Sequence, residues 1–171
     1  GRMAAEYLLE MGHRHTAGIF MNYQSLQRRK KGFEQVMKRK GGPAPLILTD
    51  DMFLNTEAAV APIRAFLAKQ NQITAVFSST DHLLPAIYRA AQDLGLSIPE
   101  QLSVIGFGDL DFAVHLAPPA TTFRQDSSKM GRVAARLLLE RIENPEQAIA
   151  TRSVKFEPEL LVRSSVAAPR A

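Results

Sequence analysis

The chain has 171 residues, of which 46% are hydrophobic, with a formal net charge of +4 and no cysteine; that is enough for one ordinary domain, or one domain with part of another. The absence of thiols excludes disulfide frameworks and thiolate metal sites. No apolar run approaches the roughly 20 residues that span a bilayer and no signal-peptide pattern opens the chain, so a soluble cytoplasmic protein with no membrane partner is expected.

Ala5, Leu8 and Leu9 set a short helical pattern over 2–11, ended by Gly12. The chain begins so close to this helix that it reads as a piece of a longer protein, starting mid-fold. His13 and His15 lack further ligands at metal spacing and read as loop histidines at the surface. A strand over 16–21 leads through the polar loop 22–27 to a helix with Leu26, Phe33, Val36 and Met37 on one face. Gly32 inside that helix costs about 1 kcal/mol relative to alanine, which predicts close backbone packing. The basic excess sits in Arg28, Arg29, Lys30, Lys31, Lys38, Arg39 and Lys40. Such a run is ordinarily a solvated helix face, with nucleic-acid contact as the alternative. Gly41, Gly42 and Pro43 stop the helix, and a strand over 46–49 ends at Asp50 and Asp51. The next helix, 56–69, contains Pro62, which predicts a kink or a late start.

The most informative stretch is 75–111, AVFSSTDHLLPAIYRAAQDLGLSIPEQLSVIGFGDLD. A strand starting at Ile73 and ending at Phe77, an amphipathic helix and a strand over 103–107 form one strand, helix, strand unit. Leu84, Ile87, Tyr88, Ala91 and Leu94 recur at helical spacing, whereas the flanking runs are short and uniformly apolar, as in strands buried on both faces. Ser79, Thr80 and Asp81 can cap the helix and Gly95 can end it. Parallel strands joined this way bring residues 78–81 and 106–111 to one edge of the sheet, where ligands of open α/β sheets bind. Thr80, Asp81, Gly108 and Asp109 are therefore candidate site residues, although capping alone accounts for Thr80 and Asp81.

Beyond residue 111, Pro118 and Pro119 predict an extended crossover. A strand over 121–125 should precede a helix capped by Asp126 or Ser127, burying Met130, Val133, Ala134, Leu137, Leu138 and Ile142. Residues 153–156 and 160–162 read as strand segments, and 166–171 as a frayed tail.

The stretches GHRHTAGIF, RRKKGFEQVM, the 75–111 unit, APPATTFRQDSSKMGRVAARLLLERI and FEPELLVRSS follow one another in an order that resembles the C-terminal half of the effector-binding region of LacI/GalR-type bacterial transcription regulators. The resemblance covers nearly the whole chain. It implies an α/β fold: a parallel sheet flanked by helices, periplasmic-binding-protein-like and truncated. Residues 1–12 would be a linking helix, 13–114 and 150–166 the second subdomain, and 119–145 a returning piece of the first. The DNA-binding headpiece is absent from this chain. The family further implies a small-molecule effector, operator DNA as the headpiece's partner, a homodimer, and neither metal nor cofactor.

By position in the family pattern, Arg29, three residues before Gly32, matches an arginine that reaches ligand oxygens with its fork of donors. Tyr23 and Ser25 lie in a contact loop, and Phe53 falls near an aromatic that stacks on the ligand. Thr80 stands where relatives commonly have a ligand-binding Asn, and Asp81 follows it as a loop-fixing residue. Relatives commonly read GYDD or GFDD where this chain has GFGD, so Gly108 replaces a carboxylate, next to Asp109. Two like charges about 4 Å apart repel by about 4 kcal/mol at an effective dielectric near 20. Losing one makes room for an acidic effector, such as gluconate, opposite Arg29.

Two other readings stay open. A carboxylate enzyme could use Asp50, Asp51, Asp81, Asp109 and Asp111 with His82, but the chain has no GxSxG elbow, P-loop, HExxH or dinucleotide fingerprint. A periplasmic sugar receptor would share the fold.

Overall fold

The computed structural model describes residues 1–40, 42–50, 55–144 and 152–170. Helix α1 (Arg2–Glu10) precedes β1 (Thr16–Met21), α2 (Gln24–Arg39), β2 (Leu46–Asp50), α3 (Thr56–Ala68) and β3 (Ala75–Ser78). A 3-10 turn, Asp81–Leu83, leads into α4 (Leu84–Asp93) and β4 (Ser103–Gly108). A second 3-10 turn, Asp111–His115, comes before β5 (Thr121–Arg124), α5 (Ser127–Glu143) and β6 (Glu159–Leu161).

The strands form one sheet in the order β2-β1-β3-β4-β5-β6. The first five are parallel and β6 pairs antiparallel with β5. Side chains along a strand alternate between faces, and both faces here are apolar. Ala17, Ile19, Val76 and Val104 pack with Ile63 and Leu67 of α3 and Ile87 of α4. Phe20, Phe77, Ile105 and Phe123 pack with Leu8 of α1 and with Phe33 and Met37 of α2. Phe77 meets Phe33 at a centroid distance of 5.1 Å and Phe20 edge-on at 5.8 Å. A Cβ at Gly32 would come within 3.2 Å of the Arg2 backbone nitrogen, the close approach of α1 to α2 that a mid-helix glycine predicts. Among the described residues no helix is long and apolar enough to cross a membrane.

Several expectations need correction. Helix α5 buries no residue: Leu138, Leu139 and Ile142 are more than half exposed, because among the described residues nothing covers that face. His13 is buried, with Nε2 donating to the Ala167 carbonyl at 2.8 Å and Nδ1 2.9 Å from Thr74 Oγ1. The end of the chain is not frayed through 166–170. Val166 is buried, and Ala167 exchanges hydrogen bonds with Ser103 Oγ at 3.1 Å each way. Residues 153–156 form no strand. Pro62 lies inside α3 without delaying it, since the Asn55 side chain caps the helix by accepting from Glu57 N.

Candidate functional site

The C-terminal ends of β1 and β3, with the start of α2, enclose a hollow of about 440 Å³ lined by Met21, Tyr23, Ser25, Leu26, Arg29, Thr56, Thr80 and His82. Four residues predicted from sequence meet here: Tyr23, Ser25, Arg29 and Thr80. Tyr23 is the N-cap residue of α2 and is 47% exposed. Arg29 follows Leu26 and precedes Phe33 on the buried side of α2. Its helical register thus carries it inward, unlike the exposed Arg28 and Lys31.

Arg29 Nη1 donates to the Ser79 carbonyl at 2.5 Å, and its Cζ stands 3.6 Å from the centroid of the Phe107 ring. Among the described residues its other N–H groups have no hydrogen-bond acceptor. Burial pulls the guanidinium below its ordinary range while the charge of Asp81 opposes that shift; arginine nonetheless stays charged. The Thr80 hydroxyl accepts from His82 N at 3.5 Å, so capping and lining the hollow are both open to the same side chain. The loop is held underneath: Ser78 Oγ donates to Thr80 O at 2.7 Å, and Ser79 N donates to Ile19 O at 2.9 Å.

Asp81, Gly108 and Asp109 do not line the hollow. Asp81 is fully buried and turned away from the hollow, where Thr122 Oγ1 donates to its carboxylate at 2.8 Å and Leu110 N at 3.2 Å. Burial pushes this carboxyl up, opposed by those donors and by the Asp109 and Phe107 N–H groups. Gly108 adopts φ +142°, and a Cβ there would lie 3.7 Å from the Asp81 carboxylate. Asp109 binds Arg163 Nη2 at 2.6 Å and lies 3.9 Å from Arg124 Nη1. Phe53 and Asp51 fall outside the described residues.

Sequence reasoning missed Met21, Leu26 and Thr56 as lining residues and weighed His82 only as an enzyme's histidine. The parallel register carried a usable signal, because Met21 is the last residue of β1 and Thr56 the first of α3. Arg29 and His82 are the lining residues able to carry charge, and none of the eight is a carboxylate. Among the described residues no three His, Asp or Glu side chains group as a metal site. A larger concavity, about 820 Å³, lies between the start of α5 and residues 154–159; none of the predicted site residues lines it.

The family of periplasmic binding protein-like domains matches residues 5–166. The ribose operon repressor of Haemophilus influenzae is 31% identical over 169 residues, which are 97% of this chain and 50% of the relative. The HTH-type transcriptional repressor PurR of Vibrio vulnificus is 33% identical over 172 residues, again 97% of this chain and 50% of the relative. A solved LacI-family transcriptional regulator from Enterococcus faecium with bound ribose is 27% identical, with a TM-score of 0.84 over 98% of this chain and 62% of that one. This chain spans about half the length of the curated relatives it matches.

Proposed function

We propose, for a chain that belongs to the periplasmic binding protein-like family as the C-terminal effector-binding part of a LacI/GalR-type regulator, that its hollow is one wall of a cleft recognising a small polyhydroxylated acid without transforming it. The carrying observation is the charge of the lining among the described residues: Arg29 with donors that no described acceptor takes, His82, four hydroxyls from Tyr23, Ser25, Thr56 and Thr80, and no described carboxylate. A sugar acid such as gluconate matches that set, with its carboxylate on the arginine and its hydroxyls on the rest. A charge-assisted hydrogen bond contributes about 1.5–3 kcal/mol, on the order of tenfold to a hundredfold in affinity.

In this reading residues 13–114 and 150–166 form the second subdomain, and 119–145 belong to a first subdomain lying mostly outside this chain. The effector closes the two, and its preference for the closed state shifts the spacing of helix-turn-helix headpieces in a cytoplasmic homodimer and hence operator affinity. Titration calorimetry of the full-length regulator with D-gluconate, D-glucose and D-ribose tests the effector class. Tighter binding of gluconate is expected; tighter binding of either neutral sugar overturns the acid reading and favours a sugar like that held by the Enterococcus relative.

A further inference from the structure

Phe107 stands outside the lining of the hollow, and Arg29 rests on it. The guanidinium Cζ is 3.6 Å from the centroid of the ring, while Nη1 donates to Ser79 O. Among the described residues these are the partners of the Arg29 head, with no carboxylate at salt-bridge distance. An arginine side chain has many rotamers of similar energy, and a ligand that must order one binds more weakly for it. A ring face attracts the cation without occupying any of its N–H groups. Ring and carbonyl together therefore fix the guanidinium and leave its remaining donors open.

The ring is itself held. Phe107 is 7% exposed and Phe123 2%; they are partners in the β4–β5 register, with centroids 6.2 Å apart and planes tilted by 32°. Alternation along β4 sends Ile105 and Phe107 to the face that packs with α1 and α2. Gly106 and Gly108 fall on the other face, where a Cβ at either would meet the Asp81 carboxylate. Strand β4 thus gives the cation a ring at contact distance and keeps the buried carboxylate behind the sheet. A direct pair with Asp81 would consume the donors that the ring leaves free. All of these contacts are internal to one sheet and the helices on it.

We propose that Phe107 is a positioning residue that sets the specificity of the hollow: backed by Phe123, its ring holds Arg29 in one orientation and so favours an acid group over a neutral hydroxyl. A carboxylate gains from two donors presented together in a fixed plane, whereas a hydroxyl uses one donor and tolerates a mobile partner. Loss of the ring should therefore weaken an acid more than a neutral sugar. The inference rests on the reading of the hollow as an effector site, and ligand-free structures separate the two.

The test uses the full-length regulator and three variants, each crystallised without ligand and titrated by calorimetry with D-gluconate and D-glucose. Phe107→Leu removes the ring, Phe107→Tyr keeps it, and Ile105→Val trims the same buried face of β4 as a control for packing. Phe107→Leu should spread Arg29 over more than one rotamer and lower gluconate affinity on the order of tenfold, with glucose changed by less than about twofold. Phe107→Tyr should restore the single rotamer and the gluconate affinity, and Ile105→Val should alter neither. If Phe107→Leu does not fold, Phe107→Met, unbranched and without a ring, takes its place. One unmoved Arg29 rotamer in the ringless variant overturns the proposal, as does an equal loss of gluconate affinity in Ile105→Val. If the parent prefers glucose, the acid reading falls, and the Arg29 rotamers in the ligand-free structures still decide whether Phe107 positions it.

Discussion

The guanidinium of Arg29 lies over the Phe107 ring, 3.6 Å from Cζ to the centroid, and donates at the same time to the carbonyl of Ser79. One side chain from α2 thereby bridges the tips of β3 and β4. The ring takes the flat face of the cation and the carbonyl takes one donor, so the guanidinium is oriented before any ligand arrives.

Arg29→Lys keeps the charge and loses both the fork and the stacking plane. Gluconate affinity of the full-length regulator should fall on the order of tenfold in Arg29→Lys and further in Arg29→Met, a loss of at least about 1.4 kcal/mol. Neutral sugars should lose less. Calorimetry of the three proteins checks this, and equal losses for acid and neutral sugars would remove Arg29 as the counter-charge.

Asp81 supplies a stability prediction with a definite sign. Its carboxyl is pushed above its ordinary value of 3.8 by burial, so the folded chain keeps its proton where the unfolded chain has lost it. Stability from this group therefore falls as pH rises from 3.8 through the folded value, then levels off. Thr122→Val removes the donor that favours the ionised form. The variant should cost about 1.5–3 kcal/mol at neutral pH and clearly less near pH 4, read as the difference in urea unfolding free energy at the two values. A cost independent of pH would mean that the hydroxyl serves packing alone. Gly106 belongs to the same arrangement, since a Cβ there would fall 2.1 Å from Asp81 Oδ1. This explains the glycine inside an otherwise apolar strand.

Much of this was legible in the chain itself, for local reasons. The buried face of α2, Leu26, Phe33, Val36 and Met37, is the one its periodicity predicts, and Arg29 falls within that register. The unit from β3 to β4 follows from two apolar runs around a capped amphipathic segment, and Gly95 takes φ +68° where the helix must stop. What was not legible depends on distant partners. His13 looks like a loop histidine until Thr74 and Ala167 are brought to it by the sheet. Val166 and Ala167 look frayed until the start of β4, at Ser103, receives them. Thr80 and Asp81 are adjacent polar residues, and it is the donors gathered from elsewhere, Thr122 on β5 and the Leu110 N–H, that meet Asp81 where it turns inward.

His13 titrates with the opposite consequence. Burial pulls it below its ordinary 6.5, opposed by the hydrogen bond to Ala167. The unfolded chain then takes up a proton near pH 6.5 that the folded chain refuses until lower pH. Stability should fall on acidification from about pH 6.5 toward the folded value, at up to about 1.4 kcal/mol per pH unit, and be insensitive to this group above it. His13→Gln should be less stable at neutral pH, since it disturbs the bonds to Thr74 and Ala167, but should flatten that slope. Denaturant midpoints between pH 5 and 8 decide the matter, and an unaltered slope in His13→Gln would place its origin in another group.

The apolar stripe on α5 separates this chain from the longer protein it matches. Met130, Val133, Leu137, Leu138 and Ile142 recur at helical spacing, yet Leu138 and Ile142 are 60% and 63% exposed. Burying such a side chain contributes about 1.5–3 kcal/mol, so the stripe has the composition of a core face without a core. In the 171-residue chain, Leu138→Glu with Ile142→Glu should change the unfolding free energy by no more than about 0.5 kcal/mol per site and reduce self-association in sedimentation. In the full-length regulator, where the proposed first subdomain covers the stripe, the same pair should cost several kcal/mol, on the order of 2–5 for each buried position. Parallel urea titrations of the two lengths make the comparison. Equal, small effects in both would show that the stripe stays uncovered in the longer protein, and with it would go the assignment of 119–145 to a first subdomain.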